Sequence, residues 1–203
     1  MTIRTGALAC VLLSGCITRD APEPRFYHPP TAMLDAPVDP SIADTAGAPV
    51  RLRPVHQASF LGERMVWRVS DAEYGRYEQR RWNELPAQYL ARAMTNAVQG
   101  DPALFLTDDV AAPTLDLDLL AFDEVVGPPR IARVIVRATL RGPKGGTLID
   151  REFVSEEPIT SDGDGGSAVA RAMGRALDAL VAQVTTEVAA RLTPAAAPAR
   201  AKR

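Results

Sequence analysis

The chain has 203 residues, 46% of them hydrophobic, and a formal net charge of −2. That length suits one domain with tails. The near-neutral charge argues against nucleic-acid binding, which would call for a clearly basic surface. Both cysteines, Cys10 and Cys16, fall at the start of the chain, so the remainder holds no thiol.

The first element is an apolar run over residues 6–17, preceded by Arg4. A membrane-crossing helix needs about 20 apolar residues, so this run is too short to span. A positive start, a short apolar run and small residues before a break describe a secretory signal. Leu13-Ser14-Gly15-Cys16 resembles the bacterial lipobox: Leu at −3, small residues at −2 and −1, and the obligatory Cys at +1. Cys10 fits less well, because the bulky Leu8 would stand at −2 and few apolar residues precede it. Residues 1–15 are therefore expected to be removed, and Cys16 to carry diacylglycerol through a thioether. A lone acyl chain holds weakly and several hold stably, so the membrane becomes a partner through the anchor. Ile17, not Asp, follows the cysteine; by resemblance to enterobacterial sorting rules, this points to the outer membrane.

Residues 16–49 are rich in proline, which stiffens the chain and removes backbone donors. They read as an anchor and tether, with Phe26-Tyr27 as a short edge strand. A folded domain is expected over residues 50–192. Residues 50–55 alternate as a strand that Pro54 demotes toward an edge. Residues 64–69 predict a second strand and residues 73–82 a third. Asn83 and Pro86 read as the cap and first turn of a helix whose apolar face is Leu85, Tyr89, Leu90, Ala93, Met94, Ala97 and Val98. Three strands follow: one on Leu115, Leu117 and Leu119, one on Val134, Val136, Ala138 and Leu140, and one over residues 148–156. A Gly/Pro-rich hairpin over 142–146 joins the last two. Acidic residues on one strand and arginines on its neighbour are expected to pair across an antiparallel sheet. Ser167 reads as the cap of a long amphipathic helix from Val169 to Leu192, and residues 193–203 as a disordered tail. The expected fold is α+β, a single domain in which an antiparallel sheet packs against two amphipathic helices.

Catalytic chemistry is not prominent. His28 and His56 stand apart, whereas a metal site needs clustered ligands. Residues 162–165 resemble a calcium loop only faintly, because the sixth position is Ser167 and the twelfth Met173, where Gly and Glu are required. Residues 142–147 lack the order of a phosphate-binding loop. Asp116 and Asp118 share a strand face and read as solvated. No catalytic residue, metal or cofactor is expected. Trp67, Tyr74, Tyr77, Trp82 and Tyr89 crowd one stretch, with Arg76, Arg80 and Arg81 among them. They read either as packing or as a contact surface, which aromatics and arginine favour; Trp67, Tyr74, Tyr77, Arg80 and Trp82 are the interface candidates.

The stretch "RMVWRVSDAEYGRYEQRRWNELPAQYL", residues 64–90, resembles the signature of the ABC-type transport auxiliary lipoproteins, the PqiC-like group. "VRLRPV" before it and "LDLDLLAFDEV" and "FVSEEPI" after it extend the resemblance over most of residues 50–192. The long proline-rich lead-in and the Ala/Pro tail depart from that pattern. The resemblance implies a non-catalytic part of a lipid-transport system, anchored on the periplasmic face of the outer membrane. Its partner would be an MCE-domain protein of an ABC lipid transporter, with a second copy of the chain as a further partner. The other reading of the residues is a structural lipoprotein of a different envelope assembly or secretion machine.

Overall fold

The computed structural model describes residues 22–35, 47–160 and 165–193. The signal, Cys16, the calcium-like loop up to Asp164 and the tail from residue 194 lie outside the described residues. Described elements run β1 (Arg25–Tyr27), α1 (Ala32–Asp35), β2 (Ala48–Leu52), β3 (His56–Gln57), β4 (Arg64–Arg68), β5 (Tyr74–Trp82), α2 (Pro86–Gln99), β6 (Leu104–Leu106), β7 (Thr114–Val125), β8 (Ile131–Arg141), β9 (Thr147–Pro158) and α3 (Gly165–Leu192).

β7 is the axis of a mixed sheet. Along one edge it pairs antiparallel with β8, which pairs antiparallel with β9. Along its other edge it takes three short strands in turn, all parallel: β2 at Thr114–Leu115, β3 at Asp118–Leu119 and β4 at Asp123–Val125. The strand expected over 50–55 is shorter at its end: β2 closes at Leu52, with the Arg53 N–H still donating to the Leu115 carbonyl (3.0 Å), and Pro54, which cannot donate to the ladder, separates it from β3 at His56. β5 pairs antiparallel with β4, and β1 runs parallel to the end of β5. The fold is α+β; its antiparallel part is the β4–β5 and β7–β8–β9 pairs. The parallel pairs arise because the chain returns to β7 only after crossing through α2, and parallel neighbours need such a crossover.

Both long helices cover one face. α2 buries Tyr89, Leu90, Ala93, Met94, Ala97 and Val98 of the expected stripe, while Leu85, also expected on it, precedes the helix and is 38% exposed. Its start differs from expectation. Leu85, not Asn83, flanks the first turn; Gln88 Oε1 accepts the Leu85 N–H (3.0 Å), and Gln57 from β3 accepts the Ala87 N–H (3.0 Å). Asn83 Oδ1 instead accepts the Tyr89 hydroxyl. Ser167 lies inside α3, which begins at Gly165. Beneath the helices lie Leu115, Leu117, Leu119 and Phe122 of β7 and Val134, Val136, Ala138 and Leu140 of β8, all 1% exposed or less.

A bulge between Leu119 and Ala121 resets the alternation of β7. Before it, odd residues face the helices; after it, Phe122 and Glu124 do, paired with Val134 and Ala132. Asp123, opposite Arg133, points to the helix-free face.

The lead-in to the domain is partly packed. Residues 25–35 run over α3, where a Cβ at Gly166 would lie 2.3 Å from the Tyr27 ring and one at Gly174 2.0 Å from the Pro30 carbonyl oxygen. Gly166, Ala170 and Gly174, four apart, are all buried along this helix and leave the channel this strap occupies. Asp178 accepts the N–H groups of Ala32 (2.8 Å) and Met33 (3.2 Å), and Asn96 of α2 donates to the Met33 carbonyl (2.7 Å). Each end of the short α1 turn is therefore closed by a different helix, which offsets the orphan groups a single turn cannot satisfy itself.

Candidate partner surface and charge clusters

β4 and β5 bring the interface candidates to one end of the sheet but distribute them over two faces and the core. Trp82 is 2% exposed, packed edge-on to Phe122 with ring centroids 5.2 Å apart and to Tyr89 at 6.3 Å. It is a core residue, which corrects its reading as a contact residue: the last residue of β5 faces inward under α2. Tyr74 is 47% exposed on the helix-free face, with Phe60 at 4.9 Å and the Arg68 guanidinium 5.4 Å above its ring. Trp67 lies half-buried on the other face, its ring over Gly75, where a Cβ would come within 2.3 Å. Tyr77 sits on that face too, stacked under the Arg80 guanidinium at 4.2 Å.

An open groove of about 930 Å³ runs past Tyr77 and Arg80, bounded by residues 22–25 on one side and by Gly165 and Gly166 on the other. His28 is edge-on to Tyr89 (5.5 Å), and His56 sits in β3.

Two carboxylates organise this end of the sheet, and sequence reasoning missed both. Asp123 is fully buried and held by Arg68 (3.0 Å) and by Arg133, whose Nε and Nη2 donate at 3.1 and 3.2 Å. Glu124 is 1% exposed; Arg130 donates to its Oε1, the Tyr77 hydroxyl donates to its Oε2 at 2.9 Å, and Arg80 stands 3.9 Å away. Burial of two ions is tolerable only when partners and hydrogen bonds compensate the lost hydration, as they do here. Burial first, and the neighbouring Glu124 charge next, push the Tyr77 phenol up to about 12. Burial likewise raises Tyr89 to about 12. The signal available in the sequence was the adjacent Asp-Glu pair inside an apolar strand, where strict alternation would leave one of them facing the core.

The expected acid–arginine pairing across the sheet is present in altered register. Arg141 and Arg53 both hold Asp116, and Arg133 holds Asp123. Arg137, opposite Asp118, turns instead to Asp150 of β9 (2.8 Å). Among the described residues no helix is long and apolar enough to cross a membrane.

The fold recurs in solved structures. Protein XCC0632 from Xanthomonas campestris superposes with a TM-score of 0.66 at 16% identity, over 82% of this chain and 97% of its own. The hypothetical protein CT253 from Chlamydia trachomatis does so with a TM-score of 0.54 at 10% identity, over 74% of this chain and all of its own. No curated protein matches the chain. The family model for the ABC-type transport auxiliary lipoprotein component matches residues 33–185, about three quarters of the sequence. The chain belongs to that family of auxiliary lipoproteins of ABC-type transport.

Proposed function

We propose that this protein is a non-catalytic lipoprotein, anchored through Cys16 to the periplasmic face of the outer membrane, that serves an ABC transporter moving lipid between the two membranes. Its partner there is an MCE-domain protein. The observation that carries this reading is the continuity of anchor and fold. A lipobox-like Leu13–Cys16 is followed nine positions later by the start of β1 at Arg25, and this strand hydrogen-bonds into the sheet beside β5. Attachment to a membrane and presentation of one sheet end are thereby coupled. Trp67, Tyr74, Tyr77 and Arg80 supply the aromatic and arginine chemistry common at protein interfaces, and Tyr74 is the most accessible of these three aromatics.

The test is affinity purification of the tagged lipoprotein from detergent-solubilised envelopes, followed by mass spectrometry, with Cys16→Ser in parallel. Capture of an MCE-domain protein, weakened by Cys16→Ser, is the expected result. Capture of a different envelope complex without any MCE protein would overturn the transport role in favour of a structural one.

A further inference from the structure

We infer that the β1–β5–β4 end of the helix-free face is a membrane-contact surface, which packs against phosphate-bearing headgroups beside the anchor. This rests on the lipidation of Cys16 proposed above.

Phe26 pairs in register with Arg81, and Arg81 with Arg64, so the three side chains form one row across β1, β5 and β4. The adjacent residues Tyr27 and Trp82 point to the helix side, Trp82 into the core and Tyr27 onto Gly166. The row therefore faces away from the helices. Phe26 is 60% exposed, an aromatic ring that no packing inside the domain explains. Arg76 lies on the same face, opposite Val66. The carboxylate next to the row is Glu63, which pairs with Arg81 at 3.3 Å. Glu23 and Glu78 line the adjoining groove, together with Arg25, Arg76 and Arg80. The row itself is basic and aromatic.

The leash selects the occupant. Only five residues lie between Cys16 and Pro22, the first described position. An extended chain covers at most about 3.6 Å per residue, so Pro22 stays within about 20 Å of the acylated cysteine. Phe26 follows four residues later in a strand that cannot swing away, because Tyr27, Pro30 and Ala32 are docked on α3. The docked strap thus holds this sheet end near the headgroups. Arginines near a membrane surface are attracted to anionic lipid, and an exposed apolar ring gains by burial at the boundary of headgroups and acyl chains.

The experiment uses the full chain, purified as the lipoprotein and reconstituted in vesicles of phosphatidylethanolamine and phosphatidylglycerol. Phe26→Cys and, separately, Val110→Cys carry an environment-sensitive fluorophore; Val110 is 81% exposed in the loop before β7. Once Cys16 is acylated, no other thiol competes for the label. The label at 26 should shift to the blue and be quenched by headgroup nitroxide lipid, while the label at 110 reports water. Charge reversal by Arg64→Glu with Arg76→Glu should abolish the shift at 26. A label at 26 that reports water like the one at 110, on protein that floats with the vesicles, overturns the contact surface and leaves the anchor standing. Absence of diacylglycerol from Cys16 in the intact mass overturns the anchor, and the contact surface with it.

Discussion

Asp123 and Glu124 are adjacent in β7 and both buried, yet their carboxylates lie on opposite faces of the sheet, each held by its own pair of arginines. Asp123 joins β4 to β8 on one face through Arg68 and Arg133. Glu124 joins β5 to the β7–β8 connection on the other through Tyr77 and Arg130. The arrangement pins β4, β5, β7 and β8 at the end where the short parallel strands would otherwise be weakly held.

Removing one member leaves buried charge without compensation. Asp123→Asn is expected to lower the unfolding free energy by about 3 kcal/mol, because Arg68 and Arg133 lose their counter-ion together. Urea denaturation followed by far-ultraviolet circular dichroism measures it. A loss below about 1 kcal/mol would mean the pair behaves as an exposed one.

Core and surface aromatics should separate cleanly. Trp82→Ala and Phe122→Ala each remove a buried ring and should cost about 3–5 kcal/mol. Tyr74→Ala, at a 47% exposed site, should leave stability within about 1 kcal/mol but reduce recovery of the MCE-domain partner in the affinity purification. Normal recovery by Tyr74→Ala and by Trp67→Ala would remove this end of the sheet as the docking surface.

The strap offers a third test. A methyl group at Gly174 would meet the Pro30 carbonyl oxygen, which is backbone and cannot turn aside. Gly174→Ala should displace residues 25–35, with faster hydrogen exchange at the Ala32 and Met33 amides and a stability loss of about 1–3 kcal/mol. Asp178→Ala should speed exchange at the same two amides without touching the helix channel.

Alkaline stability follows from the buried phenols. Tyr77 and Tyr89 are raised to about 12 in the fold, against about 10 unfolded. Below pH 10 both states keep these protons, and the stabilisation is fully present. Above it the unfolded state releases them first, so stability falls with pH until about 12. Tyr77→Phe should flatten that decline between pH 10 and 12, and should cost about 1 kcal/mol at neutral pH because Glu124 loses a donor. Equal slopes for both proteins would show that Tyr77 does not contribute to the decline.

Local pattern carried α2, α3 and most strands, but not α1, β3 or β6. The spacing of Tyr89, Leu90, Ala93, Met94, Ala97 and Val98 admits one helical face, and that face is the buried one. Leu115, Leu117 and Leu119 alternate as a half-buried strand must, and Phe26-Tyr27 forms the edge strand its apolar pair suggested. These are local properties, set by residues within a few positions of one another. The same periodicity could not tell which side of the domain Trp82 would face, and its place in the core came from β5 pairing with β4 and β1.

Other features needed distant chain. The bulge after Leu119 exists because β8 imposes a register on β7, and that single inserted residue decides which face Asp123 and Glu124 take. Gln57 closes the start of α2 in place of Asn83 because β3 happens to lie beside it. The channel of Gly166, Ala170 and Gly174 reads in sequence as small residues in an Ala-rich helix. It becomes a binding track only once residues 27–30 lie across it. Sequence by itself determined the elements, their apolar faces and the lipobox-like motif, because each depends on near neighbours and their periodicity. Tertiary structure alone decided the pairing of arginines with carboxylates and the docking of the strap, because those contacts join different parts of the fold, at separations from 6 positions (Arg130–Glu124) to 146 (Ala32–Asp178), and no local energy distinguishes them until the sheet has closed.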